Sequence, residues 1–574
     1  PSAEPLPRAH AEGLGWLGTS LWWAVAFSLT ALMGLWVAYD PALAWPRYLA
    51  LNAGLVVAAG VAWAGRTWGD RALAAGMAGC ALLALGLSVY FLISHDWRSG
   101  IAMDSATLQQ LGVGVQALRP ELTVPEDIHP NTAASALIFL LPLGLAGAGW
   151  LWARARRGPA LLVGLALLPG LLALLLTSSR GAWGALAAAS LLALYADRRG
   201  TEPDRRRRIV DAALLAGVAL LVGGGVLVLH STALDPWLQA LPAGATALSR
   251  VALWRDMVVL IQDYPFTGSG LGTTTMVFSS YVLLLHVPYI GHAHNIFLQI
   301  AVEQGIFGLL AFVGLLLVAL RSLRAAYPRR GAARWLLGGT VAALAAMLLH
   351  GLSDAPGYAS RLVPLFFLPL GFALAHRPAV RPWPRPGTSG LVVPRRWVLA
   401  LLLPLVGLWV WSGGLAWLPS RVSSTLGSVA QTRVALAVYE WPAWGVQDEV
   451  RLAHAEALGP ALRWFDAARR TDASNATANR RVGQIALAHG DVMTAHRYLS
   501  AAYRAAPQQR PTRRLLGETY AIQGLIDEAA RLWRTVDGRA GQFALRHWWY
   551  RENDHLAQAA WIEQVVQRVS GPRR

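Results

Sequence analysis

Long apolar runs broken by short arginine-rich stretches fill the first three quarters of this 574-residue chain, and the last quarter changes to a helical alternation of small, apolar and charged positions. A helix that crosses a bilayer needs about 20 apolar residues, because hydrocarbon offers the backbone no hydrogen-bonding partner. Eleven segments are long enough: 17–39, 44–64, 72–94, 132–152, 160–178, 181–196, 209–229, 295–320, 335–352, 360–376 and 397–418. The pattern predicts an all-α, polytopic membrane protein: about eleven transmembrane helices over residues 1–418, a linker over 419–441 and a soluble helical repeat domain over 442–574.

Threading these spans alternately gathers Arg66, Arg71, Arg154, Arg156, Arg157, Arg198, Arg199, Arg205 to Arg208, Arg321, Arg324, Arg329, Arg330, Arg334, Arg377, Arg381, Arg385, Arg395 and Arg396 on one side. The positive-inside rule then predicts a multi-pass protein of the cytoplasmic (inner) membrane with a cytoplasmic N-terminus and everything after residue 418 outside. The assignment turns on the spans at 160–178 and 181–196, which are separated only by Ser178 to Gly181. Two outward segments, 95–131 and 230–294, exceed ordinary connection lengths, and such loops tend to carry function.

The tail has its own period. Gly483, Ala486, Ala495 and Ala502 are echoed 34 residues later by Gly517, Tyr520, Ala529 and Val536, with a fainter copy at Ala461, Phe465 and Ala468. Small residues at that spacing let paired helices approach closely, as in tetratricopeptide arrays. The repeats are a possible docking face for a protein partner, although burial accounts equally for Trp548 and Trp549.

Composition supports the membrane reading: 55% hydrophobic, 14% charged, a mean hydropathy of +0.40 and 26 Trp. There is no Lys, so all 50 basic residues are Arg and the net charge is +18. The arginines fall in clusters between apolar runs rather than on one soluble face, which argues against nucleic acid as a partner. The single cysteine, Cys80, excludes an intrachain disulfide and any paired-cysteine metal motif.

The candidate chemistry gathers in Gly291-His292-Ala293-His294-Asn295, where a polar loop of about 60 residues runs into an apolar helix. A histidine fixed at a membrane surface can take a proton from an attacking hydroxyl near neutral pH, or serve as a plain hydrogen-bonder. Asn295, Gln299 and Glu303 follow at intervals of four, a polar stripe expected to line a pocket because it is costly against lipid. Arg180, Arg250 and Arg255 form a possible outward cluster for a pyrophosphate, which guanidinium binds in bidentate fashion; Arg255 alternatively pairs with Asp256 or Asp263. The glycines at 268–272 lack phosphate-loop spacing and read as a turn. His286, His292 and His294 match no zinc motif and no GxSxG elbow is present, so neither a metal nor a cofactor is expected.

Taken in order, Ser179-Arg180-Gly181, Arg250 with Trp254, Pro265 with Gly268 and Gly270, His294-Asn295-x-x-Leu298-Gln299 and Glu303-x-Gly305-x-x-Gly308 resemble the O-antigen ligase and polymerase superfamily. Ile128-His129-Pro130-Asn131 is similar to the same family, and the resemblance covers roughly residues 20–376. It implies a GT-C-like membrane fold and metal-independent, inverting transfer of a glycan from undecaprenyl pyrophosphate to an acceptor hydroxyl outside the membrane. His294 would be the base, His292 a second candidate, and Arg180 and Arg250 the holders of the pyrophosphate; Arg255 and Glu303 match less firmly. Ligases, polysaccharide polymerases and protein O-oligosaccharyltransferases share these motifs, so the acceptor is a glycan, a lipid or a protein. A lipid-linked glycan flippase or a repeat-based membrane scaffold is the alternative from another class.

Overall fold

The structure, a computed structural model, describes residues 8–98, 105–118, 127–198, 233–240, 244–282, 290–327, 330–376, 417–437, 447–536 and 540–570. These residues are helical and contain no strand. Seven helices among them are long and apolar enough to cross a membrane: Thr19–Val37, Pro41–Trp68, Asp70–Ser94, Pro130–Ala153, Arg157–Leu176, Ile296–Ala326 and Ala333–Gly351. The expected span at 181–196 falls within a 19-residue helix, Arg180–Arg198, that is less apolar. That at 360–376 becomes the short apolar stretch Val363–Ala375. The expected span at 209–229, and 397–418 save its last two residues, lie outside the described residues, as do parts of both outer loops.

Pro130–Ala153 is the central post of the bundle. It packs against Asp70–Ser94 and Ala333–Gly351, and glycines set the spacing: a Cβ at Gly147 would meet the Ala78 backbone at 2.7 Å, and one at Gly339 would meet Ala146 at 2.2 Å. In a bilayer, where apolar surface gains nothing by leaving lipid for protein, such close approach is what makes helices associate.

Ile296–Ala326 is interrupted. Gly305 has φ +72°, so the helix breaks there and its flanking peptide groups need partners from elsewhere. The Pro265–Gly272 loop supplies them: Ser269 N donates to Val302 O at 2.7 Å and Ile306 N donates to Pro265 O at 2.8 Å. Gly268, at φ +69°, leaves no room for a side chain, since a Cβ would sit 2.3 Å from the Glu303 carbonyl carbon. The glycine-rich segment is thus the backbone partner of a broken membrane helix.

The helix Leu418–Leu436 occupies most of the stretch expected as a linker over 419–441, and it packs on Gly459–Thr471 of the tail. Its Ser420 Oγ donates to Ala468 O, and the cluster of Val429 and Leu436 with Leu253, Leu260 and Phe278 joins it to the outer loop. In the tail, antiparallel pairs run Ala476–Ala488 with Val492–Ala505, then Arg510–Ala521 with Ile526–Trp533. Gly483 abuts Leu499, and Gly517 abuts Trp533 one period of 34 further on, which is the close approach the small residues predict.

Candidate functional site

The Gly291–Asn295 strap and the turn after Ala333–Gly351 meet at one end of the bundle. Asn295 caps Ile296–Ala326, accepting from Phe297 N and Leu298 N, while its own amide donates to Leu352 O at 3.0 Å. The peptide of Ala293 is held at both ends: its N–H donates to Gln299 Oε1 at 2.7 Å and its carbonyl accepts from Trp254 Nε1 at 3.0 Å. One turn before Trp254, Arg250 Nη1 donates to Ser353 O at 2.5 Å. Residues four apart share a helix face. A single face of Gly244–Asp263 therefore holds both the histidine strap and the facing turn.

His294 Nδ1 lies 2.9 Å from Asp354 Oδ1. The Asp354 carboxyl is buried, which by itself raises its pKa, but the bond from His294 and the proximity of His292 and His350 more than offset this and hold it at about 2. An ionised carboxylate only accepts, so the Nδ1 of His294 that faces it carries a proton, and in the neutral ring Nε2 is the nitrogen that holds the lone pair. The ring keeps 30% exposure. His294 also has φ +48°, a left-handed conformation that costs a β-carbon-bearing residue about 1–2 kcal/mol and is kept here by the bonds around it. His292 is different. Burial pulls it to about 4 against the opposing pull of Asp354, so it is neutral at pH 7, and its Nδ1 accepts from His294 N at 3.3 Å.

Arg180 is exposed at the start of Arg180–Arg198. A Cβ on its neighbour Gly181 would lie 3.5 Å from Ser353 Oγ and 3.8 Å from His350, so Ser353 touches the Arg180 and Arg250 segments and precedes the carboxylate that orients His294. His294 and Arg250 are thus held by one turn, Ser353–Asp354, and the start of the Arg180–Arg198 helix lies beside that turn.

Arg255 is not. It forms a two-bond fork with Asp235 at 2.8 and 2.9 Å, rather than with Asp256 or Asp263, whose carboxylates are taken by Arg510 and by Arg480 and Arg481. The polar stripe also departs from expectation. Gln299 bonds Thr274 and Glu303, and Glu303 meets Arg47 at 3.3 Å and Gly272 N at 3.3 Å, so these groups are satisfied by protein and brace the strap instead of lining a pocket. Sequence reasoning missed Asp354, and with it His350 and Arg47. The available signal for Asp354 was a lone acid in a short loop just beyond an apolar run, next to His350.

One further property bears on chemistry: ligand atoms of His292, His294 and Asp354 lie within 4.8 Å of one another, close enough to hold a divalent cation. His286 falls outside the described residues.

Residues 165–313 match the family model described as O-antigen ligase. Among curated proteins no relative matches the chain. The matched residues include Arg180, Arg250, His292, His294, Asn295, Gln299 and Glu303; the match ends before Asp354 and before the tail. With seven helices long and apolar enough to cross a membrane among the described residues, this is a multi-pass membrane protein that contains a segment similar to O-antigen ligases.

Proposed function

We propose that the protein transfers a glycan from an undecaprenyl-pyrophosphate-linked donor to an acceptor hydroxyl on the outer face of the cytoplasmic membrane. The observation that carries this reading is the His294–Asp354 contact, which leaves Nε2 as a base beside the Arg180 and Arg250 segments. In the reaction, Nε2 takes the acceptor's proton as the acceptor oxygen bonds to the anomeric carbon. The bond from that carbon to the diphosphate breaks, and its electron pair leaves with the lipid diphosphate. Arg180, at the positive end of a helix, and Arg250 offset the charge that grows there. Attack opposite the leaving group inverts the anomeric centre. The leaving group brings its own activation, so a base and fixed positive charge suffice without a metal.

Polymerase and protein O-oligosaccharyltransferase remain readings of the same site with another acceptor. The tail, read as tetratricopeptide-like and placed outside the cell, is suited to recruiting a protein acceptor or partner, which favours something other than simple lipid ligation. Purified protein incubated with lipid-pyrophosphate glycan and each acceptor class should yield product, and His294→Ala should not. Mass spectrometry of the reducing-end linkage identifies the acceptor. Equal product from both proteins refutes the catalytic assignment, and transport without a new linkage supports a flippase instead. Activity should persist in EDTA; loss with rescue by a divalent cation would mean that His292, His294 and Asp354 work as a metal site.

A further inference from the structure

Proton transfer needs one imidazole and its carboxylate, yet the strap supplies a second imidazole. One ligand atom from each of His292, His294 and Asp354 lies within 4.8 Å of the other two. Asp354 Oδ1 is the hub, with His294 Nδ1 at 2.9 Å and His292 Nδ1 at 3.7 Å. Ligands of a tetrahedral zinc ion sit about 2.0–2.2 Å from the metal, and so roughly 3.4 Å from one another. Both distances to the hub are within about half an ångström of that spacing.

The fold already holds these groups in place. The Ala293 peptide between the two histidines is bonded at both ends, Asn295 pins the strap to Leu352 O, and Asp354 Oδ1 also accepts from Ala355 N at 2.9 Å. His292 Nδ1 accepts from His294 N at 3.3 Å, so it carries a lone pair, and a bond that long competes weakly for it. The two rings keep 20% and 30% exposure, which gives an ion a way in from water. Imidazole suits zinc and its neighbours, whereas magnesium and calcium take oxygen ligands. Three protein ligands leave the fourth position of a tetrahedral ion to water.

We propose that His292, His294 and Asp354 form an inhibitory zinc site. The inference rests on the reading of His294 as the base through Nε2. Zinc at Nδ1 takes the place of the proton there, and that proton passes to Nε2, because a neutral imidazole holds one. The ring keeps its charge but loses the lone pair that would receive the acceptor's proton. The ion also separates His294 from the carboxylate that stabilises its protonated form.

The test uses full-length, tag-free protein in detergent, stripped with EDTA and desalted. Cobalt(II) should bind as a single equivalent with the strong visible absorption of a tetrahedral site, and zinc should abolish that absorption. His292→Phe, which keeps a ring against His294, and Asp354→Asn should each weaken binding of both metals by about tenfold or more, since even the partners of a ligand are worth about 10–100-fold. Transfer by wild type should fall as zinc fills the site, return with EDTA and ignore magnesium. His292→Phe should need about tenfold more zinc for half-inhibition, whatever its own starting rate. The absence of a tetrahedral band, or equal metal affinity in wild type and both variants, would overturn the site. Zinc bound at an unchanged or raised rate of transfer would overturn the inhibition. Cobalt binding is read without turnover, so a protein that binds it but forms no glycosidic linkage sinks the transfer reading, and the inhibition with it, while the metal site stands.

Discussion

At the residue scale, the His294–Asp354 pair makes the strongest demands. Asp354→Asn keeps the shape but replaces an obligate acceptor with a group that can also donate, so the tautomer of His294 is no longer dictated. Its kcat should fall by about 100-fold or more at little cost in substrate KM, whereas His294→Asn should remove the base and about 10²–10⁴-fold of rate. His292 predicts a pH effect of opposite origin. Its pKa lies lower in the folded protein, about 4, than the ordinary value of 6.5, so the unfolded chain binds the extra proton between those values. The stabilisation is complete above pH 6.5 and is lost as pH falls towards 4, amounting to about 3 kcal/mol at one pKa unit per 1.4 kcal/mol. Chemical denaturation across that window should show the slope in wild type and a flatter one in His292→Asn; identical slopes would contradict it. Residue types disclosed the histidines and arginines because each is conspicuous in an apolar chain. Asp354 was not legible, because a single acid in a short loop has no pattern and acquires its meaning from a partner 60 residues away.

At the element scale, the interrupted Ile296–Ala326 helix explains why glycines at 268 and 305 occur as they do. The loop and the helix exchange backbone hydrogen bonds at a distance that no Cβ permits. Gly305→Ala combines a positive φ with a Cβ 2.7 Å from Phe266 backbone atoms, and should destabilise by about 2 kcal/mol or more. The loss would be read as a lower Tm in detergent, with a matching loss of activity because Gln299 and Glu303, which brace the histidine strap, lie on the same turns. A variant with unchanged Tm would show that the break is not required. Apolar length revealed the helix, and the four-residue spacing revealed its polar stripe. Which way the stripe faces was undecidable, because protein and a watery cavity are both acceptable surroundings for the same side chains.

At the scale of the whole molecule, the tail is part of the architecture that holds the site. Asp263 ends the helix that carries Arg250 and Trp254, begins the loop that mends the membrane helix, and is gripped by Arg480 and Arg481. Its carboxyl is held below the usual range despite complete burial, because the two guanidiniums outweigh desolvation. Removing one partner of a buried pair leaves the other uncompensated, at a cost of about 3–5 kcal/mol. Asp263→Asn should therefore lower Tm and reduce transfer although residue 263 takes no part in it. Wild-type activity and stability in that variant would show that the tail is only tethered. The expected linker over 419–441 concealed this, since a helix rich in Ser, Thr and Gln carries a weak apolar stripe and finds its partners on two other units.

The order of apolar runs, the arginine clusters and the 34-residue echo determined by themselves that this chain is all-α, membrane-embedded and ends in paired helices. These are local properties, set by segment length, period and the cost of unpaired backbone in lipid. Only the tertiary structure decided that Asp354 orients His294, that Arg255 belongs to Asp235, that the glycine loop repairs a broken helix, and that the tail grips the outer loop through Asp263. Each of these is a contact between distant segments, and charge or hydrogen-bonding capacity in a sequence does not name the partner that folding brings to it.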